Sequence, residues 1–261
     1  MKPTRKKLYS IISVSASVIF WILVWAALSW QIGSAFLLPS PIDTVSALWG
    51  MLFTLSFWQI IGASILRILV AILISLLIGT LIATFTAKLE AVDTLFAPLM
   101  TVIKATPVAS FIILAILWID RNTLPAFITM LIVIPIVWSN VSAGIKGVDN
   151  GLLEVAKIYR FPLSKRIFKI YVPSTMPYFL AACRASLGMA WKAGIAAEVL
   201  CTPKQAIGTQ IYFSKTYMET TELFAWTLTV IVLSVIIEKI LISSIFSLTK
   251  KLHLSNMEAN K

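Results

Sequence analysis

The sequence predicts an all-α fold: a polytopic membrane protein with six transmembrane helices and a cytoplasmic helix pair between helices four and five. Composition is the first observation behind this. Of 261 residues, 59% are hydrophobic and 13% charged, against about 25% charged in soluble domains, and the mean hydropathy is +0.93. The second is a set of apolar runs near the length of about 20 residues that a bilayer core requires. They cover roughly 8–30, 58–86, 95–118, 124–143, 177–199 and 223–247. The third is where the cations lie. An even number of spans puts both termini on one side. If that side is the cytoplasm, the inner segments hold Lys2, Arg5, Lys6, Lys7, Lys88, Lys146, Lys157, Arg160, Lys165, Arg166, Lys169, Lys250, Lys251 and Lys261, and the outer ones only Arg121, Lys204 and Lys215. That asymmetry orients the chain. Trp30, Trp58, Trp118 and Trp226 then all fall at the outer interface, where indole rings are favoured.

The net charge of +11 thus reads as a positive-inside bias, not as a nucleic-acid surface. Cys183 and Cys201 make neither a disulfide framework nor a metal-ligand spacing. One histidine, His253, near the C-terminus argues against histidine-based metal or catalytic chemistry. The first apolar run, Leu8 to Trp30, exceeds the roughly 7–15 residues of a signal-peptide core. Ala27 and Ser29 give only a weak cleavage pattern, so the run reads as a retained span. The segment 31–57 contains "LLPSPIDTVSALWGML", a proline turn and a short amphipathic stretch, with no independent span.

Between spans four and five stands "EVAKIYRFPLSKRIFKIYVPS", residues 154–174, too polar for lipid. Asp149, Asn150 and Gly151 are helix-start residues, and Glu154 lies in the first turn, where the helix dipole favours a negative charge. Leu152, Val155, Ala156 and Tyr159 follow i, i+3, i+4, i+7 spacing and predict one apolar face. Glu154 and Lys157 are spaced to pair on the other face. Pro162 stops this helix. Ser164 is placed to cap a second one through Val172, which Pro173 ends. Periodicity leaves two uses open: a helix lying on lipid headgroups, or a knob that fits a groove on a soluble partner.

The spacing of this stretch resembles the cytoplasmic signature of bacterial ABC-importer permeases: E-A-A, three residues, G, nine residues, I-x-L-P. Here the positions hold Glu154, Val155, Ala156, Arg160, Ile170, Val172 and Pro173. Val155, Arg160 and Val172 depart from the pattern. Arg160 stands where a glycine would permit a left-handed turn, so the turn is expected to rest on Pro162. "LLPSPIDTVSAL", "SILRIL" and "LGMAWKAGIAAEVL" resemble segments of the nitrate, sulfonate and taurine branch, and the likeness runs from about residue 36 to 240.

The resemblance implies a single transmembrane permease domain in a bacterial inner (cytoplasmic) membrane, with Glu154, Val155, Ala156, Tyr159, Arg160, Ile170 and Pro173 as the ATPase-coupling element. It also implies two ATPase subunits carrying ATP and Mg, a second permease subunit (a homodimer being the simplest assembly), and an extracytoplasmic solute-binding protein. This chain contains no G-x-x-x-x-G-K-[ST] phosphate loop, so no cofactor of its own is expected.

Charges within the spans are costly and usually face protein or a watery cavity. The candidates are Arg67, Lys104, Arg184, Lys192, Glu198 and Glu238. Arg184 and Glu198, fourteen residues apart, are expected on one helix face, with Lys192 about 80° away and Gly188 permitting close helix approach. Arg184, Gly188, Lys192 and Glu198 are therefore the candidate translocation path, and its cations suit an anion such as a sulfonate, taurine or nitrate. A structural ion pair is the competing reading of these charges. An ion-gradient-driven secondary transporter is the alternative function, since Pro107, Pro125 and Pro135 could break helices. It leaves the cytoplasmic signature unexplained. An intramembrane enzyme would need a nucleophile–base pair or metal ligands that the sequence does not offer.

Overall fold

The computed structural model describes residues 3–258, and every regular element among them is helical. Lys2 and Lys261 lie outside the described residues, as do the side chains of Arg5, Lys6, Lys7, Lys250, Lys251 and His253. The helices are α1 (Pro3–Ile32), α2 (Pro41–Leu52), α3 (Leu55–Lys88), α4 (Glu90–Ala105), α5 (Val108–Ala115), α6 (Leu124–Lys146), α7 (Asn150–Ile158), α8 (Leu163–Arg166), α9 (Val172–Cys201), α10 (Ile207–Thr216) and α11 (Thr220–Glu258). A π-helical turn, Ile167–Tyr171, joins α8 to α9. The chain divides into two compact units, residues 1–60 with 210–231, and residues 61–209 with 232–261.

In the first unit, Ser40 caps α2 by accepting a bond from the Asp43 amide. Trp25 Nε1 donates to the Pro39 carbonyl at 3.0 Å and Ser29 Oγ to that of Leu38 at 2.9 Å, so the proline turn is tied back onto α1. Trp30 and Trp58, two of the four expected interfacial indoles, are exposed. Trp226 is not: it is 4% exposed and packs on Phe57, ring centroids 5.1 Å apart.

The second unit holds most of α3 and all of α4 to α9. Its α3 portion exposes Leu66, Leu73, Leu77 and Leu81 and buries Ser64, Ala71, Ser75, Ala83 and Thr86 together with Ile61, Ile68 and Ile72. Large apolar side chains on the outside suit lipid, and the small residues on the inside permit the close packing on which helix association in lipid relies. Gly194 of α9 marks such an approach: a Cβ there would meet Ile68 Cγ1 at 2.7 Å and Thr129 Oγ1 at 3.1 Å. The expected close approach at Gly188 is not found among the described residues, for nothing there lies within 4 Å of a Cβ built on it. The principal helix pair is α6 with α9.

Among the described residues, four helices are long and apolar enough to cross a membrane. They match the expected spans one, two, four and six. The expected third span, 95–118, is no straight helix: α4 and α5 are bent by 101° at Thr106–Pro107. Proline lacks the amide for the helix ladder and pushes its predecessor out of the helical region, and Thr106 has ψ 131. Pro125 instead opens α6 and Pro135 stays inside it, so of the three candidate helix breakers only Pro107 breaks one. The expected fifth span lies within α9, a 30-residue helix whose charges keep it below the apolarity of the other four.

Candidate functional site: the turn after α7 and the buried charges

The stretch 149–173 starts as the sequence predicts. Asp149 caps α7, its Oδ1 accepting from the Gly151 amide at 2.8 Å. The expected Glu154–Lys157 pair is not among the described ion pairs. The expected apolar face divides in two. Ala156 is 1% exposed and packs with Val148 and Ile170, flanked by Leu153, Phe161 and Tyr171. Leu152, Val155 and Tyr159 point outward with Ile158, the last two 73% and 75% exposed respectively. Ala156 is therefore the anchor of the helix and the other four side chains are its ridge.

The end of α7 corrects another expectation. Arg160 itself takes the left-handed conformation, φ 49. Its amide donates to Lys157 O at 3.1 Å, and that of Phe161 to Ala156 O at 2.8 Å. This bond pattern closes a helix with a left-handed residue, most often glycine. Pro162 contributes elsewhere, as the N-cap of α8. A left-handed non-glycine residue costs roughly 1–2 kcal/mol. Arg160→Gly is accordingly expected to raise the stability of this turn by about 1 kcal/mol, seen as slower amide hydrogen exchange over 150–161. Unchanged or faster exchange would mean that the arginine side chain holds the turn.

Beyond Pro162 the expected second short helix does not end at Pro173. The chain runs from α8 through the π-helical turn into α9, where Pro173 occupies the first turn. The run stays helical across this junction, the Val172 amide donating to Ile167 O, although Pro173 has no amide of its own to give. The second short helix is thus continuous with α9, with no loop between them.

The charged residues of α9 fall on different sides. Arg184 and Lys192 are exposed, while Glu198 is 0% exposed, so the expected common face for Arg184 and Glu198 is not formed. Glu198 Oε1 is ion-paired with Arg67 Nη1. Its Oε2 accepts from Ser64 Oγ at 2.9 Å and from the Gly208 amide at 3.2 Å. Ser64 Oγ accepts in turn from the Ile207 amide at 2.9 Å, and Arg67 Nη2 donates to Lys204 O at 3.3 Å. Around it, Thr202 and Gln205 are left-handed, φ 48 and 47, and the Lys204 amide donates to Asn122 Oδ1 at 2.9 Å. A Cβ on Gly208 would overlap Glu198 Cβ and Val199 N, so this close return of the chain requires glycine. The cluster pins the tight turn after α9 onto α3. An ion pair of this kind is what the competing, structural reading of these charges expects, and sequence reasoning did not pair Glu198 with Arg67. The available signal was the opposite charge in "SILRIL", at a comparable depth in the second span. Both cysteines are free and buried, and no group of metal-ligating side chains occurs among the described residues.

Comparison with known proteins places this arrangement. Residues 75–249 match the family model described as "Binding-protein-dependent transport system inner membrane component". The chain is 34% identical over 89 residues to the putative aliphatic sulfonates transport permease protein of Bacillus subtilis, covering 34% of this chain and 32% of that one. It is 29% identical over 179 residues to the Escherichia coli protein of the same description, covering 66% and 68%. A bicarbonate transport system permease protein of Synechococcus elongatus is 24% identical over 223 residues, covering 80% and 78%. The first of these matches spans about a third of its relative's length. A crystal structure of an amino acid ABC transporter shares the fold, with TM-score 0.55, 17% identity, and coverage of 74% of this chain and 93% of that one. Since the family match takes in α4–α9, with the turn after α7 and Glu198, this chain belongs to the inner-membrane components of binding-protein-dependent transport systems.

Proposed function

We propose that this chain is the permease subunit of an ATP-driven importer for a small anion. The observation that carries the reading is the cytoplasmic turn. Its ridge of Leu152, Val155, Ile158 and Tyr159 stands exposed while Ala156 fixes the helix beneath, a form suited to a groove on a soluble partner. That partner is an ATPase subunit, two copies of which hold ATP and Mg. The other members are a second copy of this chain and an extracytoplasmic binding protein. Closure of the ATPase dimer displaces α7, the continuous α8–α9 segment carries the movement into the membrane, and the two-state permease shifts between inward- and outward-open forms.

The exposed α9 face with Arg184, Gly188 and Lys192 lines the path. Its cations raise the local concentration of an anion, in keeping with relatives described as nitrate, bicarbonate and aliphatic-sulfonate permeases. The reading also includes six crossings, with the bent α4–α5 pair and α9 as the third and fifth, and both termini in the cytoplasm of a bacterial inner membrane.

The test has two parts. An affinity-tagged chain should copurify with an ATPase and support ATP-driven anion uptake in vesicles. A cysteine at Ser164 should react with an impermeant thiol reagent only from the cytoplasmic side, and one at Ser40 only from outside. Reaction of both from one side, or ATP-independent uptake by the chain alone, would reject the reading.

A further inference from the structure

The bend between α4 and α5 opens a cavity of about 150 Å³ that the pinned turn and the coupling helix do not use. Its walls include Ile103, Phe111, Ile132, Pro135 and Met189. Lys104 is the one charged residue among those lining it, and Thr106 the one other polar residue. The Thr106 hydroxyl is already engaged, donating to Val102 O at 2.8 Å. Lys104 Nζ lies 5.5 Å from the centroid of the Trp138 ring, and no carboxylate is paired with it among the described ion pairs. Trp138 is itself fixed by a bond from Nε1 to Thr86 Oγ1 at 2.9 Å. The result is an apolar chamber with one cation at its edge, opening where α4 breaks.

Size and lining narrow the occupant. A cavity of about 150 Å³ lined mainly by aliphatic and aromatic side chains has room for a benzene-sized body. Ligand pockets are commonly apolar with a few polar groups that fix orientation. A nitrate or bicarbonate ion gains little here, because stripping its water needs several donors and the chamber offers one. An anion with a short aliphatic body uses both features, the charge meeting Lys104 and the carbons meeting the walls.

We propose that this cavity is a binding pocket for organic anions with an aliphatic body of about four to six carbons, such as alkyl sulfonates. The assignment rests on the reading that the α9 face carrying Gly188 and Lys192 lines the path, because Met189, next along that helix, joins the cavity to it. The permease would then contribute its own selection for apolar bodies after delivery by the binding protein.

The experiment uses the full chain in lipid nanodiscs with Met189→Cys, and follows modification at position 189 by mass spectrometry. Hexane-1-sulfonate at about twice its Kd should slow labelling about threefold, following 1 + [L]/Kd. Nitrate and hexan-1-ol at the same concentration should leave the rate unchanged. Lys104→Met should abolish the protection and Lys104→Arg should keep it. Ile132→Trp should fill the chamber and abolish it with Lys104 intact. Protection by hexan-1-ol or nitrate equal to that by the sulfonate, protection that survives Lys104→Met, or none in the Met189→Cys protein would overturn the proposal. Labelling of Lys192→Cys by an impermeant reagent tests the path separately. If position 192 is inaccessible while position 189 is protected, the path reading fails and the pocket stands.

Discussion

Glu198→Ala should remove most of the folded chain from the membrane fraction. The carboxylate is fully buried, and its two oxygens hold Arg67, Ser64 and the Gly208 amide. Removing it leaves the Arg67 guanidinium, largely buried, without its anion, and breaking a buried pair by one partner costs about 3–5 kcal/mol. It also leaves the Gly208 amide without an acceptor, at about 1–3 kcal/mol. Thermal unfolding in detergent, followed by tryptophan fluorescence, should show a large drop in midpoint. Glu198→Gln should fall between, because an amide oxygen can still accept from Ser64 and Gly208 while the charge is lost. The double variant Arg67→Met with Glu198→Met tests the assignment more closely. Replacing a buried pair by apolar residues is often neutral, so the double variant should be more stable than Glu198→Ala alone. If Glu198→Ala keeps wild-type stability and loses only transport, the residue belongs to the path after all.

The sequence carried the outline of this fold well and its interior poorly. Apolar run length is a local property, so α3 and α6 could be read closely, whereas α1 begins earlier, at Pro3, and α11 runs well past the apolar stretch to Glu258, because helix continues into polar sequence that hydropathy does not mark. The cap at Asp149 is equally local. Pro107 shows the limit: proline marks where a helix can break, yet Pro135 sits within α6 unbroken, and only the surrounding packing decides between them. Helical spacing placed Glu198 near Arg184 on a projected wheel. It could not show that the carboxylate turns toward α3, 131 residues away in sequence at Arg67. Arg160 was legible as a departure from a glycine pattern but not as a left-handed residue, because the intrinsic preference against that conformation was outweighed by the two bonds that close α7. For Ala156 the apolar stripe was read correctly and its sidedness was not. Two surfaces compete for such a stripe, the protein's own loop and a partner, and only the positions of Val148 and Ile170 assign it to the first.

That sidedness sets the last expectation, a loss of the ATPase from a permease that remains folded. Val155→Asp with Tyr159→Asp places two charges on the exposed ridge of α7 and leaves Ala156, Val148 and Ile170 untouched. Interface anchors of this kind are worth about 2 kcal/mol or more each, and every 1.4 kcal/mol is about tenfold in affinity. One such loss is about 30-fold, enough to empty an affinity column of the partner. Glu154→Lys should do less: the side chain is exposed, the Asp149 cap remains, and an unfavourable charge at a helix start costs about 0.3–1 kcal/mol. Ala156→Trp should do harm by a different route, since overpacking a filled site costs roughly 1–3 kcal/mol and would distort the anchor itself. The three are separable by measurement. The ridge variant should lose copurified ATPase and ATP-driven uptake with an unchanged exchange pattern over 150–161. Ala156→Trp should lose both functions together with protection in that segment. If the ridge variant binds the ATPase and transports as the parent does, α7 does not couple to an ATPase, and its exposed apolar side chains rest on the inner leaflet instead.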